Sequence, residues 1–275
     1  MKHLMLTAIA DVSESLRSRW FMIYSLVFGG VVVALFISGL TESRVMGFSG
    51  LSRVLVTYLQ ITMAILPLFV LITTVRSVAG DREAGIFEYM LSLPVSLRSW
   101  FWGKLIGRFF VVFLPVVLAM FGAVLWGGMK GVEIPWIQVS FYTGFLISLS
   151  WCFLGIGMLI STLARSSDVA TGSAFMLWLA LLLFLDLILL GMLVQSNWPS
   201  ESIVAIALAN PLQVFRTASM LLFDPQLVLL GPSAYVILDH FGENGFLSWA
   251  LIYPAALGSL CAWLGYMIFR RGDLP

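Results

Sequence analysis

Long apolar segments, separated by short polar ones, follow one another along the chain. A membrane-spanning helix needs about 20 mostly apolar residues, and the sequence holds six windows of that kind. They cover residues 20–40, 54–79, 105–128, 138–163, 169–194 and 247–269. The pattern therefore predicts an all-α integral membrane protein, with six transmembrane helices forming a single domain over residues 1–275.

Residues 1–19 predict an amphipathic helix before the first span. Apolar and polar side chains recur there at helical spacing on different faces, which is typical of a helix lying in the membrane interface. The apolar face holds Leu4, Met5, Ala8, Ile9, Val12 and Leu16, while Asp11, Glu14, Ser15 and Ser18 lie elsewhere.

A charged segment, residues 75–107, separates the second window from the third. Gly80 and Asp81 predict a break followed by a helix N-cap, because an Asp side chain accepts hydrogen bonds from the first-turn N–H groups. Pro94 predicts the end of this short helix, and Ser96 predicts the cap of the next one.

The short helix predicted over residues 80–94 combines charged residues with one apolar stripe. The stripe comprises Ile86, Phe87, Met90 and Leu91. Glu83 is expected near the positive end of the helix dipole, which a carboxylate stabilises. A helix of this kind at the end of a membrane bundle is suited to receiving a push from a partner. The alternative is an ordinary connecting loop on the membrane surface.

Residues 195–246 predict short helices rather than a plain loop. Prolines divide the segment into apolar pieces, each too short to span a membrane, at residues 202–209, 212–223 and 226–238. Irregular backbone at membrane depth must line a cavity or be covered by protein. We interpret the segment as short re-entrant-type helices that form an outer gate or a dock for a partner. A structural cap over the fifth and sixth spans is the alternative.

Lysine and arginine residues are unevenly divided between the two sides of the predicted bundle. With six spans both termini share one side, and that side collects eleven of the 15 Lys and Arg residues. Cytosolic loops carry such an excess in membrane proteins. Both termini and residues 75–107 are therefore predicted to be cytosolic, in a plasma or inner membrane, with residues 195–246 outside.

Composition supports the membrane assignment and excludes several functions. Hydrophobic residues make up 60% of the chain and charged residues 11%, whereas soluble domains have about 25% charged residues. The net charge of +1 gives no nucleic-acid footprint. No GxxxxGK[ST] or HExxH motif occurs, and Cys152 and Cys261 show no metal-type spacing. We therefore expect no catalysis and no ATP hydrolysis by this chain alone, and no metal or other cofactor in it.

Two features inside the predicted spans have competing interpretations. Asp186 lies in the fifth window, where an aspartate costs about 2.5–3.5 kcal/mol on insertion scales. It predicts a pathway or gate residue; the alternatives are a contact between helices or a fifth span that ends before this residue. Gly155, Gly157 and Ser161 are small residues at close spacing, which predicts tight packing either within the chain or between two copies.

Residues 80–107, GDREAGIFEYMLSLPVSLRSWFWGKLIG, resemble the loop after the second span of ABC-2-type transporter permeases. The shared pattern is an acidic-Arg-Glu start, a Gly, a short apolar helix, a Pro-[VI]-Ser break and an aromatic with Gly-Lys entering the third span. Residues 209–222, ANPLQVFRTASMLL, resemble the Asn-Pro…Phe-Arg stretch of the permease subgroup that serves nitrous oxide reductase maturation, a copper-processing system.

The resemblance implies a type V exporter-like fold and a division of labour between subunits. Two permease copies would pair with two ATPase subunits, which bind ATP and Mg, and residues 80–94 would form the coupling helix seated on the ATPase. Its coupling residues would be Asp81, Arg82, Glu83, Ile86, Phe87, Met90 and Leu91. The candidate pathway or gate residues are Asp186, Asn210 and Arg216.

The resemblance further implies export driven by ATP hydrolysis in the partner. The subgroup suggests a copper- or sulfur-related substrate, and a lipid, drug or other amphiphile is the second expectation. The rival interpretation is a mechanotransmitter that relays ATPase motion to a periplasmic partner at residues 195–246 without transport. An ATP-independent channel is not supported, because it would not need the short helix of the charged segment.

Overall fold

Helices account for all the regular structure in the described part of the chain. The computed structural model describes residues 2–37, 50–86, 96–131, 133–184, 199–223 and 232–272. Its helices are α1 Lys2–Leu16, α2 Arg19–Ile37, α3 Gly50–Thr74, α4 Arg76–Glu83, α5 Leu97–Met129, α6 Trp136–Leu163, α7 Ser167–Leu179 with a π-helical turn at Ala180–Phe184, α8 Ser200–Leu208, α9 Pro211–Phe223 and α10 Pro232–Gly272. The predicted all-α class is confirmed.

Four of the described helices are long and apolar enough to cross a membrane. They run over Val54–Glu83, Leu97–Met129, Trp136–Leu163 and Ile237–Arg271, and two bent helix pairs raise the number to as many as six if each pair is one span. The chain is thus a multi-pass membrane protein, and the count of six stays a prediction. The fifth window begins as α7, and its remainder, including Asp186, lies outside the described residues.

The first helix packs closely against the start of α5. A Cβ atom at Gly103 would lie 2.8 Å from the Leu4 carbonyl oxygen, and one at Gly107 would lie 2.8 Å from that of Ala8. Glycine at both positions therefore lets the two backbones approach. The packed face includes Asp11, which is 4% exposed. Asp11 lies off the predicted apolar face, as expected, but it is buried against α5, where an ion pair compensates its burial.

The sixth helix lies at the centre of the bundle. A Cβ atom at Gly155 would stand 1.9 Å from the carbonyl oxygen of Gly258 on α10, and one at Gly157 would stand 3.0 Å from the Thr74 Cβ. Both glycines therefore pack against other helices of the same chain, which is the first of the two alternatives that the sequence left open.

Two of the predicted outer pieces are confirmed as short helices. α8 and α9 are bent by 104° relative to each other, with Ala209 and Asn210 between them. The third piece, 226–238, does not end where expected. The helix that begins at Pro232 continues past residue 238 and is interrupted at Gly242, whose φ of 64° is readily adopted by glycine. The same element continues as the last span candidate, Ile237–Arg271, which contains this kink.

Candidate functional site

The break in the predicted coupling segment lies at Ala84 and Gly85, not at Gly80. α4 follows α3 almost directly, and Gly80 and Asp81 lie inside it. Gly85 adopts a φ of 67°. The predicted N-cap at Asp81 is therefore wrong. Of the predicted apolar stripe, Ile86 is 39% exposed at the end of the described segment, while Phe87, Met90 and Leu91 lie outside the described residues.

Ser161 on α6 holds the first turn of α4. Its Oγ accepts hydrogen bonds from the backbone N–H groups of Val78 at 2.9 Å and Ala79 at 3.1 Å. All three residues are buried. First-turn N–H groups of a helix need acceptors from outside the helix ladder, and here a neighbouring helix supplies one. This contact explains why α4 begins before Gly80.

Asp81 forms an ion pair with Lys104 on α5. The Lys104 Nζ also donates to the carbonyl oxygen of Ser77 at 2.9 Å and lies 4.7 Å from the centre of the Trp100 ring. The two charged side chains are 18% and 12% exposed, so the pair is largely removed from solvent. Asp81 thus fastens α4 to α5 instead of capping its own helix.

The last two residues of α4 attach it to the ends of two other helices. Arg82 Nη1 donates to the Ala164 carbonyl oxygen at 2.9 Å, at the C-terminus of α6. Glu83 Oε1 accepts from the Ser167 N–H at 3.1 Å, at the N-terminus of α7. A cation is favoured at the negative C-terminal end of a helix dipole and an anion at the positive N-terminal end, so both contacts are favourable. Glu83 therefore serves the dipole of α7 and not, as predicted, that of its own helix.

A second ion pair extends these contacts to α1. Arg108 Nε lies 3.1 Å from both carboxylate oxygens of Asp11, and Arg108 Nη1 donates to the carbonyl oxygen of Thr73 at the end of α3. We call this set of side chains the α4 network. It consists of Asp11, Asp81, Arg82, Glu83, Lys104, Arg108 and Ser161.

The α4 network joins α4 to several other helices. It connects α4 directly to α5, α6 and α7, and α5 in turn to α1. Buried polar contacts of fixed geometry resist separation because an unpaired partner is costly. These contacts therefore hold α4 against its neighbouring helices.

The sequence analysis did not predict the ion pair between Asp11 and Arg108. The signal was available, because Arg108 lies inside the third apolar window, where a charge needs a partner. The partner could not be identified from spacing, since the two residues are 97 positions apart. The link from Ser161 to α4 was missed for the same reason.

Among the outer candidates, Asn210 has a defined structural role. It is 1% exposed, its Oδ1 accepts from the Leu212 N–H at 3.0 Å, and its Nδ2 donates to the Leu181 carbonyl oxygen at 2.7 Å. It therefore caps α9 and ties the α8–α9 bend to the π-helical turn. Arg216 is partly buried on α9. Across the part of the chain that the structure describes, no group of three or more His, Cys, Asp or Glu could hold a metal ion.

Comparison with known proteins points to one family. Residues 5–274 match the family described as ABC-2 family transporter protein. The chain is 27% identical over 276 residues to the probable ABC transporter permease protein NosY of Stutzerimonas stutzeri, covering 95% of each protein. It is 24% identical over 220 residues to the protein of that name from Pseudomonas aeruginosa, covering 78% of this chain and 80% of the relative.

Proposed function

The chain belongs to the ABC-2 family of transporter proteins and is a permease subunit, and we propose that a separate ATPase drives it through α4 and the residues that follow. What supports this is the α4 network, since α4 is bonded to three helices and is followed, after the turn at Ala84 and Gly85, by an exposed apolar residue, Ile86.

The proposed complex contains two permease copies and two ATPases that bind ATP and Mg. Both termini and α4 face the cytosol, as the distribution of Lys and Arg favours. Closure of the ATPases on ATP displaces Ile86 and residues 87–91, and the α4 network moves the bundle toward an outward-open state. Such a rigid-body transition needs only that ATP favours one of two arrangements.

The test uses the full chain co-expressed with its ATPase. Replacing residues 86–91 by a Gly-Ser linker of equal length should abolish co-elution of the ATPase. As a point-variant pair, Ile86→Ser should weaken co-elution, whereas Ile137→Ser should not. Ile137 is also exposed, but it lies at the start of α6, at the opposite end of this helix from its Ala164 contact with α4. Unchanged co-elution after the linker replacement would refute the coupling role.

For the substrate, we propose a copper- or sulfur-related species that is exported for metalloenzyme maturation. The resemblance of residues 209–222 supports this, together with similarity to two permeases that share one name. Sealed vesicles containing the complex should accumulate copper(I) or sulfide only when ATP is hydrolysed. A flux of lipid or drug instead would move the assignment to the second substrate class.

The second candidate function is a mechanical relay to a periplasmic partner. A cavity of about 370 Å³ between α8 and α10 favours it, since its lining is largely apolar and includes Leu208, Trp249 and Tyr253. The Trp249 and Tyr253 rings stack with centres 5.0 Å apart. ATP hydrolysis without flux, accompanied by binding of a periplasmic protein that Leu208→Glu abolishes, would select the relay over the transporter.

A further inference from the structure

A second cavity lies where the turn between α1 and α2 meets the end of α3 and the middle part of α5. Its volume is about 400 Å³, within the range of small-ligand sites. Six helices contribute to its lining, with α4 and α7 supplying Arg76 and Thr171. The cavity adjoins the α4 network through Arg108 but does not depend on the proposed transport function.

The lining changes from charged to apolar along the bundle axis. Arg108 marks the charged level, because it binds Asp11 and the end of α3. Val112 lies one turn further along α5, about 6 Å deeper at 1.5 Å per residue. At that depth its carbonyl oxygen accepts a hydrogen bond from Tyr24 Oη at 2.8 Å. The Tyr24 ring packs on Phe69 with centres 4.7 Å apart.

The two ends of this cavity therefore differ in the ligand groups they suit. The polar lining residues are Glu14, Ser15, Ser18, Thr73, Arg76, Arg108 and Thr171, and the apolar ones are Phe21, Tyr24, Phe69, Ile72, Val111 and Val112. A ligand that fills both ends must have a polar head and a hydrocarbon body. Phospholipids in a membrane present their heads and chains in this order of depth.

The charged side chains at the polar end of the cavity determine which lipid head groups it favours. Arg108 is neutralised by Asp11. Arg76 is exposed, and its Nε donates to Thr171 Oγ1 at 3.4 Å, so a five-donor guanidinium keeps donors for a ligand. Glu14 is exposed on α1, and within the described residues it forms no ion pair with Arg76. Apart from Arg108, which is paired with Asp11, one cation and one anion thus line the same end.

We propose that this cavity binds one zwitterionic phospholipid of the phosphatidylethanolamine class, with its phosphate on Arg76 and its ammonium on Glu14. The hydroxyl groups of Ser15 and Ser18 provide further hydrogen bonds to the head. The acyl chain lies against Phe69 and Val111. A purely anionic head would satisfy Arg76 but face the Glu14 carboxylate, so phosphatidylglycerol binds less well.

The test measures lipids retained by the full chain. The protein is reconstituted in nanodiscs of equal parts phosphatidylethanolamine and phosphatidylglycerol, extracted in mild detergent, and analysed by native mass spectrometry. The wild-type chain should retain one phosphatidylethanolamine in preference to phosphatidylglycerol. Arg76→Gln should lower retention roughly tenfold, the effect of losing a charged hydrogen bond. Glu14→Gln should keep a bound lipid but lose the preference for phosphatidylethanolamine.

Lys130→Gln and Glu133→Gln are matched controls. Both residues are exposed beyond the far end of α5, so neither variant should alter retention. Ile72→Trp should fill the cavity and exclude the lipid, with thermal melting confirming that each variant is folded. Soluble glycerophosphoethanolamine should not displace the lipid, because it lacks a chain. Equal retention of the two lipids by the wild type, retention by Arg76→Gln that matches its control, or displacement by the soluble head would overturn the proposal.

Discussion

Replacing Ser161 by alanine tests the α4 network at its most buried contact. The substitution removes the oxygen that accepts from the Val78 and Ala79 N–H groups at 2.9 and 3.1 Å. The Ser161 side chain is fully buried, so water does not readily replace it. A buried donor left without an acceptor costs about 1–3 kcal/mol. We therefore expect a loss of about 2 kcal/mol.

Thermal unfolding of the purified chain in detergent measures this loss. A chain of this size loses roughly 2–4 °C in Tm per kcal/mol, so Ser161→Ala should lower Tm by about 4–8 °C. Ser140→Ala is the matched control on the same helix, because the Ser140 hydroxyl is exposed and donates to the Ile137 carbonyl oxygen. It should change Tm by no more than about 1 °C, as surface substitutions do.

The same pair of variants tests function. With α4 loosened from α6, the ATPase should still bind at the exposed end of α4, while hydrolysis and flux become less tightly linked. A Tm change for Ser161→Ala as small as that for Ser140→Ala would show that α4 does not depend on this contact. The reasoning about the network would then be refuted.

Three further predictions concern stability in the same assay. Asp81→Asn and Lys104→Met should each destabilise more than the double variant does, because each single change leaves a largely desolvated charge without its opposite charge; additive effects would contradict this. Gly155→Ala should cost more than about 3 kcal/mol because its Cβ would lie 1.9 Å from a backbone oxygen of α10, whereas Gly172→Ala, with nothing within 4 Å, should be neutral or stabilising; similar effects would contradict the packing. Asn210→Ala should cost about 1–2 kcal/mol through loss of the cap on α9, and no measurable loss would argue against that role.

The sequence pattern predicted the elements that depend on local signals. Ser96 caps α5 as expected, with its Oγ accepting from the Ser99 N–H at 3.2 Å. Pro211 begins α9, at the position where a proline loses no helical hydrogen bond. The long apolar runs became helices because apolar segments in lipid must satisfy their backbone internally.

The predictions from sequence were wrong where contacts between residues far apart in the chain determine the structure. Gly80 is a weak helix former, yet α4 runs through it because Ser161 and Lys104 bind the residues on either side. Glu83 was assigned to its own helix, although its partner is the Ser167 N–H, 84 residues away. Neither pairing leaves a trace in local propensity or spacing, so only the folded arrangement of α4, α6 and α7 reveals it.

Cysteine crosslinking between α4 and the ATPase tests the central claim most directly. Ile86→Cys places a thiol just beyond the turn that ends α4, and Ile137→Cys places one on a more exposed residue at the other end of the bundle. In a chain whose Cys152 and Cys261 are replaced by alanine, Ile86→Cys should crosslink to the ATPase and Ile137→Cys should not. Crosslinking at residue 137 but not at residue 86 would contradict the account.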